Sequence, residues 1–442
     1  MIIRDDLTEL LQKKGFNQEQ INRLINNKTL LELGNKDKID KNLETLINKN
    51  IQLEKISKCS AILFKNDCLE IKKIFKVLDN HKISKETIEK CLYVLATGKA
   101  QEIEKIFKVL DEHKISKETT ENCLSVLAMG KAQEIKKIFK VLDNHKISKE
   151  TIEKCLYVLA TGKAQEIEKI FKVLDEHKIS KETTENCLSV LAMGKAQEIK
   201  KIFKVLDDHK ISKETIENCL SVLATGKAQE IEKIFKVLDE HKISNETIEN
   251  CLYVLAMGKA QEIKKIFKVL DDHKISKETI ENCLSVLATG KAQEIEKIFK
   301  VLDENKISKE TTENCLSVLA RGKAQEIEKI FKVLDEHKIS KETTENCLSV
   351  LARGKAQEIE KIFKVLDDHK ISKETIENCL SVFILGKAQE IEEIFKGLDK
   401  HKISKETIEN RLSALVIEKK REMKYIKNQK QSSNKEEDIQ EK

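Results

Sequence analysis

Apolar side chains recur with helical spacing along most of this chain, and the segment 227–258 shows the pattern in full. Its first half has a stripe at i, i+3 and i+4 intervals that predicts an amphipathic helix, formed by Ala228, Ile231, Ile234, Phe235 and Leu238. Its second half has another such stripe, formed by Ile248, Cys251, Leu252, Leu255 and Ala256. The segment therefore predicts two short helices.

Polar and small residues mark where the second of these helices begins and ends. Ser244 precedes the stripe and is a good N-cap residue, with Glu246 in the first turn. Ile243 and Ile248 flank that cap at the spacing of a hydrophobic staple. Gly258 follows the stripe, which predicts a C′ glycine that ends the helix.

This two-helix pattern occurs eleven times in tandem between residues 67 and 418, with a period of 32 residues. We number the positions of each repeat from 1 to 32, so that repeat 1 is 67–98 and Lys99 is position 1 of repeat 2. The segment 71–134 is identical to 135–198, which indicates that the array grew by duplication. Because a single two-helix unit cannot bury its own stripes, neighbours must stack. The sequence thus predicts an all-α fold, an α-solenoid whose concave face is the default binding surface.

The two ends of the chain depart from the repeat. Residues 1–66 are predicted to be degenerate helical repeats that form an N-terminal cap, because LTELLQKKGFNQEQINRLI and LETLINKNIQLEKISKCSAILF each place a helix, a break and a second helix. In the last repeat Arg411 stands where the other units have a cysteine, as expected of an exposed terminal face. The charged tail 419–442 is predicted to be disordered.

Composition narrows the class of protein. The chain has no proline among 442 residues, which favours helix nearly everywhere. No run of 18 apolar residues occurs and the chain starts with charged residues, so neither a membrane span nor a secretory signal is expected. Ten of the 12 cysteines fall every 32 residues from Cys91 to Cys379, which argues against disulfide pairing. We interpret them as reduced, buried thiols and expect a cytoplasmic location.

The formal net charge of +6 belongs entirely to the two ends, since the repeats hold 62 basic and 62 acidic residues. Position 1 nevertheless has a lysine beside the loop glycine in ten successive repeats, and we call this set the lysine row: Lys99, Lys131, Lys163, Lys195, Lys227, Lys259, Lys291, Lys323, Lys355 and Lys387. It is the best candidate for a basic surface that binds nucleic acid. The alternative interpretation is solvated surface charge paired at i, i+4.

Two segments near the N-terminus resemble a known family. GFNQEQINRLI at 15–25 and IQLEKISKCSAIL at 51–63 resemble units of the mitochondrial transcription termination factor family, which are helical-repeat proteins that bind nucleic acid. Units of that family usually have a proline after the first helix, where this chain has Lys28 and Ser60 nearby. The resemblance implies a helical solenoid that binds nucleic acid.

The repeat junctions, Ala-Thr-Gly-Lys or Ala-Met-Gly-Lys, resemble a second design. They are similar to transcription activator-like effector repeats, which read one base per unit with residues just before a Gly-Gly-Lys. Here each unit is two residues shorter and has a single glycine. The resemblance implies that position 31 reads bases, through Thr97, Met129, Thr161, Met193, Thr225, Met257, Thr289, Arg321, Arg353 and Leu385. Drift at an exposed loop is the alternative explanation of this variation.

The sequence offers no catalytic or cofactor-binding motif. Histidines fall one per repeat after the first helix, about 10 Å apart by helix packing, so they are too far apart to share a metal, and a role at the helix C-terminus is favoured. The cysteines face the core, and no glycine-rich phosphate loop or metalloprotease motif is present. We expect the phenylalanines to lie in the core and Tyr93, Tyr157 and Tyr253 to face solvent.

The sequence therefore predicts a non-enzymatic solenoid without a cofactor, a metal or a small-molecule substrate. The first hypothesis is nucleic-acid binding along the concave face by the lysine row with Arg321 and Arg353. The alternative is a scaffold for an extended protein partner, which the neutral total charge of the repeats favours. A nucleic-acid interface requires the lysines to line one groove, whereas glutamates mixed among them favour a protein.

Overall fold

The chain is described by a computed structural model that covers residues 2–400, 404 and 406–418. Within these residues every regular element is a helix and there is no strand. The predicted tail 419–442 lies outside the described residues. The chain divides into two units, Met1–Ala228 and Gln229–Lys442, which are treated separately below.

The N-terminal segment forms six short helical elements, of which the last is a 3₁₀ helix. They are Arg4–Lys13, Gln18–Ile25, Lys28–Leu33, Lys36–Asn48, Leu53–Lys58 and Ser60–Leu63. Lys36–Asn48 has the same length, 13 residues, as the first helix of the tandem repeats. Residues 35–66 therefore follow the plan of a full repeat with a different sequence, and Asn35 is their position 1.

Each tandem repeat contributes two helices, which we call A and B. The A helices are Cys68–Asn80, Ala100–Glu112, Ala132–Asn144, Ala164–Glu176, Ala196–Asp208, Ala228–Glu240, Ala260–Asp272, Ala292–Glu304, Ala324–Glu336, Ala356–Asp368 and Ala388–Lys400. The B helix of repeat 1 is split into Lys85–Lys90 and Leu92–Thr97. The other B helices are Lys117–Leu127, Lys149–Thr161, Lys181–Met193, Lys213–Leu223, Asn245–Met257, Lys277–Leu287, Lys309–Leu319, Lys341–Leu351, Lys373–Leu385 and 406–418.

Within each unit the helices stack in two layers. In unit 1 the A helices from Cys68–Asn80 to Ala196–Asp208 pack each on the next, and in unit 2 those from Ala260–Asp272 to Ala388–Lys400 do the same. The B helices stack in the same way within each unit, as Lys149–Thr161 packs on Lys181–Met193. This layered order confirms the predicted all-α fold, an α-solenoid.

The core of each repeat is the pair of apolar stripes. Phe139, at position 9 of repeat 3, is 1% exposed, and the phenylalanines at the same position from Phe75 to Phe395 are all buried. Cys123 and the later position-25 cysteines up to Cys379 are buried, whereas Cys91 is half-buried. The predicted assignment of these residues to the core is therefore confirmed, apart from this exposure of Cys91.

Residues predicted to face solvent do so. Tyr93, Tyr157 and Tyr253 are all exposed, and so is Arg411 in the last repeat. Arg411 lies where its neighbours bury a cysteine, and among the described residues no further tandem repeat covers that face. The polar substitution thus fits a terminal surface.

A left-handed lysine joins the A and B helices of each repeat. Lys242 has φ of 55°, and the lysine at position 16 of each of the first ten repeats has φ between 52° and 55°. The backbone N–H of Ile243 donates to the Leu238 carbonyl at 2.9 Å, and that of Lys242 donates to the Asp239 carbonyl at 2.9 Å, which together form a Schellman motif. Ser244 then begins the B helix, and its side chain accepts from the Thr247 N–H, so the predicted N-cap is confirmed.

Gly258 ends the B helix, as predicted, but it lacks the left-handed backbone that is typical of a C′ glycine. Its backbone is extended, with φ of −69° and ψ of 163°. A Cβ on Gly258 would lie 2.9 Å from Ile263 Cδ1 and 3.1 Å from the Leu255 carbonyl oxygen. Glycine is therefore needed here because the next A helix approaches closely, and backbone handedness has no part in it.

Candidate binding surface at the repeat junctions

The lysine row lies at the junction between each B helix and the next A helix. Eight of these lysines are N-cap residues of their A helices, as Lys131 is for Ala132–Asn144, with extended backbone and no side-chain capping bond. All ten side chains are exposed. Among the described residues none of the ten lysines has a carboxylate within 4.0 Å, so the charge pairing that holds other surface lysines is absent here. We call the row of junctions, positions 30–32 and 1, the glycine–lysine edge.

The A-helix amides beside the lysine row are satisfied by the preceding repeat. Glu102, at position 4, accepts from the Ala132 N–H at 3.1 Å. The same bond recurs from Ala100 to Ala388, at distances of 2.7 to 3.2 Å. A helix N-terminus is otherwise a ready site for a phosphate or another anion. Here a glutamate of the protein already occupies it.

These glutamates are also close to lysines of their own helix. The Glu102 carboxylate lies 3.3 Å from Lys105 Nζ, and equivalent pairs at positions 4 and 7 are 3.5 to 4.0 Å apart. The pKa of Glu102 is lowered, first by the bond from the Ala132 N–H and then by Lys105, against the opposing effect of burial. The position-4 carboxylates are therefore engaged within the protein, by a helix amide of the next repeat and by a lysine of their own helix.

Clefts open between successive junctions, and in each the lysine row is mixed with acidic side chains. In unit 1 one cleft is lined by Lys131, Lys137, Lys140, Lys163 and Lys195 together with Glu134, Glu166 and Glu168. In unit 2 a second is lined by Lys259, Lys265, Lys268 and Lys291 together with Glu262, Asp272, Glu294 and Glu296. A third, also in unit 2, is lined by Arg321, Lys323, Arg353 and Lys355 together with Glu326 and Glu358. The predicted site residues thus share clefts with glutamates.

The clefts differ in how many of their charged side chains lack a partner of opposite charge or a hydrogen bond. In the unit 1 cleft, Glu134 and Glu166 cap helices and Glu168 lies 3.1 Å from Lys172, so every acid is engaged. In the Arg321 cleft, Glu326 and Glu358 likewise cap helices. Within the described residues no carboxylate lies within 4.0 Å of Lys131, Lys163 or Lys195. These two clefts therefore present an excess of free positive charge.

The floor of the clefts is apolar. Valines at position 28, such as Val254 and Val318, and alanines at position 30 line the clefts and are half-buried. Met129, Met193 and Met257 at position 31 are 61%, 66% and 57% exposed. The glycine–lysine edge therefore combines an apolar surface with a rim of lysines. In the sequence, the methionines at position 31 indicate this apolar surface.

The ten residues that the effector-like resemblance makes base readers all lie on this edge. Met129, Thr161, Met193, Thr225, Met257, Thr289, Arg321, Arg353 and Leu385 are exposed and Thr97 is half-buried. The hydroxyl of Thr161 donates to the Val158 carbonyl at 2.7 Å, and those of Thr225 and Thr289 bond to their own helices in the same way. A base-reading role stays a prediction.

The opposite edge, at the A-to-B turns, has a second row of lysines that the sequence analysis missed as a set. Position 16 is a lysine in each of the first ten repeats, from Lys82 to Lys370, and these side chains are exposed. As with the lysine row, no described carboxylate lies within 4.0 Å of Lys114, Lys146 or Lys178. They provide a matched control for any role assigned to the lysine row.

The histidines join consecutive repeats. His113 ends its A helix, and its ring bonds to the Val109 carbonyl at 2.7 Å, which confirms the predicted C-terminal role. Its other nitrogen lies 2.9 Å from Asp143 of the next repeat, and the ring packs on Phe139 with centroids 4.4 Å apart. Burial alone would lower the pKa of His113, but the bonds to Val109 and Asp143 outweigh it and raise this pKa. These rings are structural links between layers.

The thiols are not placed for catalysis. All twelve cysteines are free, and burial raises the pKa of Cys155. Within the described residues no group of three or more His, Cys, Asp or Glu side chains is arranged to hold a metal ion. In the same part of the chain, every helix is too short or too polar to cross a bilayer.

The comparisons with known proteins assign no class to this fold and surface. The sequence matches no protein-family model, and a search of curated proteins finds no significant similarity.

Proposed function

We propose that this chain is a non-enzymatic binding scaffold that holds an extended protein partner along the glycine–lysine edge. The observation that carries the proposal is the composition of the clefts, an apolar floor that includes Val141 and Ala192 in unit 1 and Val318 and Ala352 in unit 2, rimmed by exposed lysines that lack a carboxylate partner. Apolar side chains of a polypeptide fit such a floor, and its carboxylates fit the rim. Repetition of the cleft from repeat to repeat suits a long partner.

Two further features favour a protein over a nucleic acid. The helix N-termini along the edge are occupied by Glu102 and its equivalents, so they are closed to phosphates. In the cleft lined by Lys259 and Lys291, Asp272 and Glu296 also stand among the lysines, where they would repel a phosphate backbone.

The lysine itself is hard to explain by helix stability. Lysine at an N-cap offers no acceptor for the amide groups, and its charge opposes the helix dipole. Lys131 has no capping bond and its side chain is exposed. A residue that weakens its own helix end is more readily explained by a contact outside the fold.

Affinity capture from the source cells, after nuclease treatment, tests the proposal. The bait proteins are the wild type, the triple variant K131Q/K163Q/K195Q in the lysine row and the matched variant K114Q/K146Q/K178Q on the opposite edge. We expect a polypeptide that is lost with the first variant and kept with the second, and a binding strength that falls as repeats are deleted. Recovery of nucleic acid alone from untreated lysate would contradict the proposal.

Nucleic-acid binding is the second candidate function, and one cleft favours it. Arg321 and Arg353 stand beside Lys323 and Lys355, and both acids of this cleft are engaged in helix caps. The two family resemblances point the same way. A gel-shift titration with single-stranded and duplex oligonucleotides tests it, because affinity must fall steeply with salt. R321Q/R353Q should then lower the log–log salt slope by about 2.

A further inference from the structure

We infer that the partner bound by repeats 2 to 5 is an extended acidic segment in the polyproline II conformation, in register with the repeats, with one carboxylate every third residue and one large apolar side chain every sixth. This inference rests on the proposed function and names the chemistry of the partner at that same edge. It concerns unit 1 alone, where the cleft of residues 131–197 is described.

The apolar part of the register comes from position 31. Met129 and Met193 are 61% and 66% exposed, and between them Thr161 has the smaller, polar side chain. Half-buried Val158 and Val190 extend the apolar surface along the B helices. Exposed methionines over an apolar floor are adaptable contact points for a partner's side chains. Large apolar contacts on this edge thus recur every second repeat.

Tyr157 supplies the apolar surface of the intervening repeat, but one turn further from the edge. It is 56% exposed and lies four residues before Thr161 on the same helix face. A partner segment that follows position 31 therefore passes Met129 and Met193 directly and leaves Tyr157 to one side. The alternation of the two methionines with Thr161 sets the apolar period.

The charged part of the register comes from the lysine row. Lys131, Lys163 and Lys195 line the cleft, one per repeat, and have no carboxylate partner among the described residues. The acids of the cleft are held by helix amides and by Lys172, so they do not compete for these lysines. A partner with one carboxylate per repeat would balance the charge.

The repeat spacing converts these contacts into a sequence period. Stacked helices lie about 8–10 Å apart. A polyproline II segment advances about 3.1 Å per residue with three residues per turn, so it covers one repeat in about three residues and keeps every third side chain on the same face. A β-strand has a similar rise but would turn residues three apart to opposite faces. One carboxylate per repeat then recurs every third residue, and a contact with every second repeat recurs every sixth.

Fluorescence anisotropy with synthetic peptides on the full chain tests this register. The in-register probe repeats Leu-Glu-Ser-Ser-Glu-Ser, and the out-of-register probe has the same composition with its leucines five residues apart. We expect the in-register probe to bind about fivefold more tightly, since each missed apolar contact lowers affinity by about that factor. Circular dichroism of each protein confirms that it is folded.

Variants in the cleft locate the contacts. K131Q/K163Q/K195Q should weaken binding about tenfold, whereas K114Q/K146Q/K178Q should leave it within about twofold. M129S/M193S should remove the preference for the in-register probe. Thr161→Met should create the missing apolar contact and improve binding of a probe that repeats Leu-Glu-Ser about fivefold.

The outcomes separate this inference from the proposed function. If both registers bind equally and Thr161→Met gains nothing, the register is wrong, while loss of binding in the lysine-row variant would still support the scaffold. If neither peptide nor polyglutamate binds and a single-stranded oligonucleotide does, both the register and the protein-binding function are overturned.

Discussion

The degenerate repeat at 35–66 and the tandem repeats cap the N-termini of their A helices in different ways, although their helices are arranged in the same order. Asn35 caps its own helix by accepting from the Lys38 N–H at 3.1 Å, and Asp67 does the same with Glu70 at 2.8 Å. From Ala100 onward the cap comes instead from a glutamate at position 4 of the preceding repeat. Lys38 occupies that position in 35–66 and has no acceptor to offer.

This difference shows what allows the lysine row to exist. Where the preceding repeat offers no glutamate, position 1 must itself cap the helix and is an aspartate, Asp67. Where a glutamate is supplied, it accepts from the N–H of position 2, whereas Asp67 accepts from the N–H of position 4, and a lysine stands at position 1. The array thus transfers a local task to its interfaces, which leaves the exposed junction residue available for binding and makes each A helix dependent on its neighbour.

Other contacts between consecutive repeats also occur between the degenerate repeat 35–66 and repeat 1, although different residues form some of them. Lys49 stands where later repeats have histidine, and it lies 2.7 Å from Asp79 and 5.4 Å above the Phe75 ring. Glu89 accepts from the Gln52 N–H, as Glu153 does from that of Ser116. The degenerate repeat therefore keeps the links to its successor and changes its own interior.

The largest effect is expected when that interior is made to match the array. Asn42 is fully buried at position 8, where the tandem repeats have isoleucine, and its amide donates to the carbonyls of Ile62, Leu63 and Asn66 at 2.9 to 3.2 Å. Asn42→Ile leaves these carbonyls without a donor and should destabilise the N-terminal segment by about 2–4 kcal/mol. Hydrogen exchange of residues 35–66 measures the loss.

The reciprocal change in the array serves as its control. Ile138, also at position 8, is 2% exposed, and Ile138→Asn would bury an amide in an apolar core. Both substitutions should therefore destabilise, although each makes one repeat more like the other. Greater protection of 35–66 in Asn42→Ile would show that the buried amide is not needed there.

The next largest effect concerns the caps themselves. Glu102→Ala removes the acceptor for the Ala132 N–H and should destabilise the array by about 1–1.5 kcal/mol. Lys131→Asn restores a local cap of the Asn35 kind and should stabilise by about 0.5–1 kcal/mol, so the double variant should lie close to the wild type in urea unfolding. The same Lys131→Asn change should weaken partner binding. Equal losses from Glu102→Ala in both backgrounds would show that the two caps are independent.

A smaller effect is expected from the histidine links. Because the pKa of His113 is raised in the folded protein, its stabilising contribution is full below the unfolded pKa of about 6.5 and is lost as pH rises through the folded pKa. Asp143 of the next repeat and Glu112 of the same helix favour the charged ring. His113→Asn should therefore cost about 0.5 kcal/mol at about pH 6 and less at about pH 8.5.

Asparagine is a suitable replacement because the chain already uses it. Asn305 stands at the same position and donates to the Val301 carbonyl at 2.7 Å, so the helix-terminal bond is kept while the titrating ring is lost. Thermal unfolding of the wild type and His113→Asn at the two pH values measures the difference. A cost that is equal at both values would assign the role of His113 to packing on Phe139 alone.

The sequence was sufficient to predict the two helices of each repeat, the serine N-cap and the buried stripes, because each depends on contacts within a few residues. It did not predict the bonds from Glu102 to Ala132 or from His113 to Asp143, which join residues 30 apart. Those contacts exist only once the layers stack. The reason for a glycine at position 258 belongs to the same class, since a side chain there would press on Ile263 of the next A helix.

The candidate site shows the same division. Its lysines could be selected from the sequence because they recur beside the loop glycine. The sequence could not show that these lysines lack carboxylate partners, because Glu102 lies only three residues from Lys99. Only the structure shows that the Glu102 carboxylate is engaged with Lys105 and with the Ala132 N–H. The row at position 16 is equally regular, so regularity alone does not distinguish the two edges.

The smallest effect on stability is expected from the largest change in the chain, the deletion of two whole repeats. Because 71–134 and 135–198 are identical, deletion of 135–198 joins Glu134 to Ile199 as Glu198 is joined to it in the parent chain. Each capping, histidine and core contact at the new junction is then formed by residues of the same identity. The ellipticity per residue should be unchanged, and the urea midpoint should fall only slightly, as expected of a quasi-one-dimensional stack.

A deletion that is one residue shorter, 135–197, provides the control. It inserts one residue into an A helix, which rotates the following apolar stripe by about 100° and separates the position-4 glutamate from its amide. This variant should lose helicity from the junction onward, although it keeps more of the chain. If the in-phase deletion were equally damaging, stability would depend on a particular repeat, and the contrast between a self-capped first repeat and interchangeable later ones would fail.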